Sequence, residues 1–181
     1  MGGPGRRLAM AAAVAVLAVV VAIPLALRGD DSLTVAEAVT PTHGDPTGPA
    51  PARDAGRPAL LDAKFAGVAY PDWRDEFGWK PVGRRQDELK GRRTETVFYE
   101  HRGHRIGYTV VSGGALDTPT EGERVTRDGV AVQLFEAPDG HDVAVFERNG
   151  RTCILAGHVR DPATLVKLAA WPGGGVVRFN S

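Results

Sequence analysis

The feature that most constrains this chain is a run of twenty residues, 8–27, without a charged or polar side chain. A helix rises about 1.5 Å per residue, so this run would span roughly 30 Å, the thickness of a bilayer core. In lipid, a helix satisfies its own backbone hydrogen bonds. Two arginines precede the run and two aspartates follow it, which directs the N-terminus to the cytoplasm. The sequence therefore predicts a cytoplasmic stub (1–7), a transmembrane helix (8–27) and an extracytoplasmic remainder.

A cleaved secretory signal is the competing hypothesis. Its apolar region is normally about 7–15 residues long, which is shorter than this run. A small-x-small motif is present at Ala36-Glu37-Ala38, well beyond the apolar run, and no Cys follows closely enough for a lipoprotein. The predicted location is the cytoplasmic membrane, single-pass, with secretion after cleavage as the alternative.

The next segment, residues 28–59, is predicted to be a Pro/Gly-rich extracytoplasmic linker. Between residues 40 and 58, Pro and Gly recur every few positions and there is almost no apolar material to bury. Such a stretch does not offset its ordering entropy, so we expect an extended tether. The folded domain is predicted at 60–171, long enough for one modest core, with a tail at 172–181.

Turn signals between alternating runs predict the fold of this domain. Arg102-Gly103, Asp128-Gly129 and Asn149-Gly150 each separate two runs rich in β-branched and aromatic residues. Asp-Gly and Asn-Gly supply the positive φ that tight hairpin turns need. Several hairpins in succession predict an antiparallel meander.

A helix is predicted after the last hairpin. Asp161-Pro162 provides an N-cap and a first-turn proline, and Pro172-Gly173 ends the segment. Leu165, Leu168 and Ala169 fall at i, i+3 and i+4, and this apolar stripe needs the face of a sheet. The predicted fold class is α+β: a single N-terminal transmembrane helix, then an antiparallel β-meander with a C-terminal helix packed on the sheet.

Basic residues are concentrated between positions 84 and 105. They could form a cationic strip for anionic lipid, cell-wall polymer or a partner protein. Alternatively, they pair with the acids between 117 and 147 in weak surface ion pairs, the interpretation we favour. The net charge of zero argues against nucleic acid. Lys90 lies in this stretch, and the candidate interaction residues are Arg84, Arg85, Arg92, Arg93, Arg102 and Arg105.

Signals for chemistry are weak. His101 and His104 flank the Arg102-Gly103 turn and would pair on one face, as weak metal ligands or as charges that repel near about pH 6. Two ligands make a poor metal site, so a solvated hairpin tip is favoured. Ser112 lacks the nucleophile-elbow motif of a catalytic serine. Cys153 is predicted to be a small, buried side chain. We predict no enzyme activity, no cofactor and no metal.

Several segments carry a resemblance: residues 33–38, 77–83, 91–99, 105–113, 147–155 and 165–171. Together they resemble the extracytoplasmic domain of actinobacterial membrane-bound anti-sigma factors. The resemblance implies a regulatory outer domain. Members of that family also carry a cytoplasmic zinc-binding domain with His and Cys ligands. Only seven residues precede the apolar run here, too few for a specific protein interface.

These observations lead to a functional expectation. We expect a membrane-anchored extracytoplasmic sensing or protein-interaction module, anti-sigma-factor-like and without catalytic activity. Its partners would be the lipid bilayer, through residues 8–27, and an unknown protein. The alternative is a secreted or anchored carrier of a small ligand or lipid, for which a cavity of several hundred Å³ lined by the sheet would argue.

Overall fold

The computed structural model of the chain describes residues 32–172, which contain nine strands and three helices. The helices are α1 (Val35–His43), α2 (Arg74–Phe77) and α3 (Ala163–Ala170). The strands are β1 (Leu60–Phe65), β2 (Val68–Pro71), β3 (Lys80–Leu89), β4 (Arg92–His101), β5 (His104–Val111), β6 (Glu123–Arg127), β7 (Val130–Glu136), β8 (Asp142–Arg148) and β9 (Arg151–Gly157).

Seven of these strands form one antiparallel sheet with the order β3-β4-β5-β9-β8-β7-β6. It consists of two meanders, β3–β5 and β6–β9, which meet where β5 pairs with β9, for example Thr109 with Ile154. The connection over residues 112–122 carries the chain from the centre of the sheet to its far edge. The single serial meander of the sequence prediction is therefore wrong at this connection, because β5 pairs with β9 and not with β6.

Two-residue turns join the consecutive strands of the two meanders, except β7 and β8, which a longer loop joins. The register pairs His101 with His104, Arg127 with Val130 and Arg148 with Arg151, so each loop has two residues. Both central residues adopt positive φ, for example 51° at Asn149 and 68° at Gly150. Such turns match the twist of the flanking strands, so these loops are set locally by their residues.

One face of the sheet packs against α3 and the segment from β1 to Trp79. Val97, Tyr99 and Tyr108 lie on this face, and Trp73 and Tyr70 fill the space above them. The Tyr99 hydroxyl donates to the Pro71 carbonyl oxygen at 2.8 Å. Alternation along β8 sends Ala144 and Phe146 to this core. Because every second residue of a strand faces the opposite side, the neighbours of Ala144 and Phe146 need a second cover.

That second cover is α1. Leu33, Val35, Ala38 and Val39 pack with a second group of sheet residues, and α1 lies against β5 and β9. Thr34 and Glu37 form a capping box at its start. The structure differs here from the predicted linker: the linker segment contains a helix that buries one face of the sheet. The same core also contains the sheet residues Val143, Val145, Ile154 and Ala156.

The remainder of the predicted tether also contacts the domain. Thr47 and Gly48 N–H groups both donate to the Arg84 carbonyl oxygen at 2.9 Å, and Gly48 pairs with β3 as an isolated bridge. Asp62 N–H donates to Ala52 at 2.8 Å. A Pro/Gly-rich composition is compatible with such extended, hydrogen-bonded segments as well as with a free tether.

The predicted α+β fold class is wrong, because the described chain is mostly β. Its helices are short, at nine, four and eight residues, and the seven-stranded sheet supplies about half of the buried residues in each core. The sequence contains strong hairpin signals and one apolar helical stripe, and the α+β prediction gave helices and strands equal importance. The helices cover parts of a sheet and do not form a layer comparable to it.

Among residues 32–172, no helix is long and apolar enough to cross a membrane. The predicted transmembrane helix, residues 8–27, lies outside the described residues, as do the predicted stub and residues 173–181 of the predicted tail.

Candidate functional site

All five histidines of the chain lie at one end of the sheet. His101 ends β4 and His104 begins β5. His141 precedes β8 and His158 follows β9, next to the paired residues Asp142 and Gly157. Because neighbouring antiparallel strands alternate in direction, these four positions lie at the same end of the sheet. His43 joins them as the last residue of α1.

Three of these histidines stack in a row. The His43 and His141 ring centroids are 4.1 Å apart with an interplanar angle of 20°. The His141 and His158 centroids are 3.9 Å apart at 26°. His141 is thus the middle ring of a stack that joins α1, the β7–β8 loop and the end of β9.

Asp139 completes the cluster. Its Oδ2 lies 3.0 Å from His43 Nδ1 and its Oδ1 lies 3.0 Å from His141 Nδ1. One ligand atom from each of His43, Asp139 and His141 lies within 4.8 Å of the other two. The name "histidine–aspartate cluster" is used below for these three residues.

The β7–β8 loop is shaped by its own hydrogen bonds. Gly140 N–H donates to the Ala137 carbonyl oxygen, and Ala137 N–H donates to that of His141, both at 2.8 Å. The Asp139 side chain accepts from His141 N–H at 3.2 Å, an Asx-type contact. Asp139 and His141 therefore project from a closed loop.

Burial and charge act on the cluster in opposite directions. Burial lowers the pKa of His43, helped by the His141 ring and opposed by Asp139. Burial raises the pKa of Asp139, but the His141 N–H bond and the adjacent imidazoles outweigh it, so that this pKa lies below its usual value. A neutral imidazole beside a carboxylate is a combination that a cation can bind.

Two nitrogens of the cluster are buried without a hydrogen-bond partner among residues 32–172, His43 Nε2 and His141 Nδ1. The 3.0 Å contact of His141 Nδ1 with Asp139 is therefore close but not aligned as a hydrogen bond. Buried unsatisfied polar atoms are uncommon in native proteins, and an ion is one of the accepted reasons for them.

The two histidines singled out from the sequence lie beside this cluster rather than in it. His101 Nδ1 lies 3.0 Å from the Gly78 carbonyl oxygen, and its ring contacts Trp79 at 5.5 Å. His104 Nδ1 lies 3.1 Å from the His158 carbonyl oxygen. Each of these two rings, at the β4–β5 hairpin tip, thus contacts a backbone carbonyl oxygen of another segment.

His101 and His104 also line a surface cleft of about 310 Å³ between the β4–β5 tip and α3. Phe77, Trp79 and Val159 supply its apolar surface. Its charged lining side chains are all basic: Arg102, Arg160 and Lys167. This surface is called the basic cleft below. Its arrangement suits a ligand with an apolar group and a negative charge.

The other predicted interaction residues are mostly engaged locally. Arg85 pairs with Asp87 at 2.6 Å, Lys90 with Glu37 at 2.9 Å and Arg105 with Asp45 at 3.1 Å. The ion-pair partners among the described residues thus come from β3, α1 and the segment after it, and not from the acids between 117 and 147 that we expected.

The remaining arginines of this stretch differ from one another. Arg92 donates to the carbonyl oxygens of Ser112 and Gly114. The Arg93 guanidinium lies 6.0 Å from the Phe65 ring centroid. Arg84 is exposed on β3. Only Arg102 of the predicted interaction residues belongs to the basic cleft.

The sequence analysis missed the histidine–aspartate cluster. Pro138-Asp139-Gly140 has the composition of a turn and not of a ligand motif, and His43 lies in the segment predicted to be a tether. The signal was the i, i+2 spacing of Asp139 and His141 in one loop. His43, the third member, is about a hundred residues away in the sequence, and only the folded structure shows that it lies beside them.

Comparison with models of known protein families, with curated proteins and with solved structures finds no match for this chain.

Proposed function

We propose that this chain is a membrane-anchored, extracytoplasmic sensing or protein-interaction module, which acts by contact with a partner protein and not by catalysis. The basic cleft carries this proposal. An apolar floor with cationic side chains at its edge is the arrangement that captures a peptide segment combining an apolar side chain with a carboxylate. The expected partner therefore presents an acidic, partly apolar segment.

A filled core supports contact over ligand carriage. The space between the sheet and its cover on the α3 side holds Tyr70, Trp73, Tyr99 and Tyr108, none of which is exposed. A carrier would need that space for its ligand. The basic cleft lies at the surface and, at about 310 Å³, is at the lower limit of ordinary small-molecule sites.

The kinship with the outer domains of anti-sigma factors is part of this proposal. The proposed relation depends on the short segments that resemble that family. The predicted membrane segment would place the domain outside the cytoplasm, as in that family. A regulator of this kind needs a surface that recognises a partner outside the membrane, and the basic cleft is the surface we assign to that role.

Topology is tested by reporter fusions at residue 181. One reporter is active only outside the cytoplasm and the other only inside it. The proposal expects activity from the outer reporter alone, because the two arginines before residue 8 hold the N-terminus inside. Activity from the inner reporter alone would refute the membrane topology.

The contact surface is tested by photocrosslinking in the producing cell. A crosslinking residue at Thr164, which lines the basic cleft, is compared with one at Arg127, which lies on the edge strand β6. A discrete adduct is expected only at Thr164, and the double substitution Arg102→Glu and Lys167→Glu should reduce it about tenfold or more.

Arg127→Glu is the matched charge reversal, because Arg127 is exposed and lies outside the cleft. It should leave the Thr164 adduct unchanged. Equal adducts at both positions, or an adduct insensitive to reversal of the cleft charges, would contradict the proposal.

A further inference from the structure

We propose that the histidine–aspartate cluster is a binding site for one divalent transition-metal ion of the zinc type, held by His43, Asp139 and His141. Its identification depends only on the geometry of these residues. The idea that the ion is a signal for the domain rests on the proposed function. The sequence analysis predicted no metal, and the proposed site differs from that expectation.

The donor set indicates the class of metal. Two imidazoles and one carboxylate suit zinc and its neighbours, whereas calcium and magnesium prefer oxygen ligands. Three protein ligands also leave one tetrahedral position for water or for a fourth donor. His158 is outside this set of three and stacks on the His141 ring at a centroid distance of 3.9 Å.

The ligand atoms are close to the distances that zinc requires. Ligands bound at about 2.1 Å in a tetrahedron stand roughly 3.4 Å apart. The two contacts between Asp139 and the histidine Nδ1 atoms measure 3.0 Å, and all three ligand atoms fall within 4.8 Å. The separations of the ligand atoms are therefore near those of a zinc site, whereas the orientations of the two rings are not.

Binding has a definite structural requirement. The lone pair of an imidazole nitrogen lies in the plane of its ring, so one ion does not lie in the planes of two parallel stacked rings. The 4.1 Å stack of His43 on His141 must therefore open as the ion enters. The buried nitrogens without partners are His141 Nδ1, which lies 3.0 Å from Asp139, and His43 Nε2, which a rotation of the His43 ring could turn toward the ion in place of Nδ1.

The position of the site gives the ion a mechanical role. His43 ends α1, while Asp139 and His141 belong to the loop that opens β8. A bound ion would join the helix to the sheet across about a hundred residues of chain. Because the three ligands meet only in the folded chain, binding stabilises that state and opposes local opening of α1.

The test is a zinc titration of the full-length chain in detergent micelles, followed by calorimetry and by hydrogen exchange at the amides of α1. We expect one zinc ion per chain and slower exchange at Ala38 and Val39 when zinc is present. His43→Ala and His141→Ala should each weaken binding about tenfold or more.

Two further variants separate loss of ligands from loss of fold. Asp139→Asn keeps the shape of an exposed loop residue and should also weaken zinc binding. His101→Ala removes a histidine outside the cluster and should leave the affinity unchanged. The circular dichroism of each variant is compared with that of the parent.

No zinc binding above that of the double variant His43→Ala/His141→Ala would overturn the site, as would equal weakening by His101→Ala. Unchanged exchange in α1 on zinc binding would overturn its mechanical role. These measurements need neither a partner nor a membrane orientation. They can therefore fail while the crosslinking experiment succeeds, and the reverse also holds.

Discussion

Cys153 shows how burial controls reactivity at a single residue. Its side chain is inaccessible, in the centre of β9. Burial raises the pKa of the thiol to about 11, against the weaker opposing effect of the nearby Tyr108 side chain. The thiolate is the reactive form of cysteine, and at neutral pH a thiol with this pKa is almost entirely protonated. Cys153 is thus a packing residue of the core.

We predict that Cys153 reacts with maleimide at pH 8 only when the domain unfolds. The native thiol is both protonated and shielded, so its modification should be at least about a hundredfold slower than in urea-unfolded protein. Mass spectrometry of the modified chain at increasing times measures the rate. Modification of the folded chain at the rate of a free thiol would show that the Cys153 side chain is accessible to solvent.

Glu37 is the acidic residue in the first turn of α1. Its carboxylate is 2.9 Å from Lys90 Nζ, and Thr34 N–H donates to it at 3.0 Å. The contact with Lys90, followed by those with Thr34, lowers the pKa of Glu37 from 4.5 to about 2. The ionised carboxylate therefore both caps the helix and joins it to the β3–β4 turn.

We predict that this contribution is fully present above pH 4.5 and is lost as the pH falls toward 2. The sign follows because a carboxyl group with a lower pKa in the folded state takes up its proton more readily in the unfolded state. A carboxyl-detected NMR titration should place the Glu37 midpoint well below 4.5. Glu37→Gln should remove this part of the pH dependence of stability, and Glu123, exposed on β6, provides the control substitution Glu123→Gln.

At the scale of elements, the hairpins were predictable and the second core was not. A two-residue turn is specified by its own residues, and Asn149-Gly150 or Asp128-Gly129 identifies it without reference to the rest of the chain. The pairing of β5 with β9 depends on which faces are buried, and no local residue encodes it. The same limit applies to the histidine–aspartate cluster, because its members meet only through that pairing and the docking of α1.

The prediction of a tether at α1 was wrong for an identifiable reason. Pro41, Pro46 and several glycines lowered the apparent helix content of the segment as a whole. Pro41 is accommodated because it lies in the last turn of α1 and removes only one donor. The capping pair Thr34 and Glu37 and the apolar residues beside it were readable signals for a helix.

Gly107 on β5 permits this helix to approach the sheet. A Cβ at this position would lie 2.8 Å from Thr42 Cα, a backbone atom of α1. We predict that Gly107→Ala destabilises the domain by about 1–3 kcal/mol, the usual cost of overpacking. Urea denaturation measures the change in the free energy of unfolding.

Gly114 provides the matched control for this prediction. It lies in the connection after β5, and a Cβ there would meet nothing within 4 Å. Gly114→Ala should therefore change the free energy of unfolding by less than about 0.5 kcal/mol. Equal effects of the two substitutions would show that α1 does not pack closely against β5 at Gly107.

At the scale of the whole molecule, the sheet needs a cover on each face. The first core contains Tyr70, Trp73 and α3, and the second contains α1. A sheet whose two faces are both apolar exposes a large patch when either cover is removed. The folded unit therefore begins near residue 33, and not at residue 60 as its composition suggested.

This difference leads to a prediction for truncated chains. We expect the fragment 32–172 to fold as a stable monomer and the fragment 60–172 to aggregate or bind a hydrophobic dye. Leu33, Val35 and Val39 are each at most 5% exposed. Burial of each such side chain contributes about 1.5–3 kcal/mol, so their loss removes roughly 5–9 kcal/mol from a total stability of about 5–15 kcal/mol. Size-exclusion chromatography and urea denaturation of the two fragments give the comparison. A stable, monomeric 60–172 fragment would mean that α1 is an accessory and that the sheet is sufficient with one covered face.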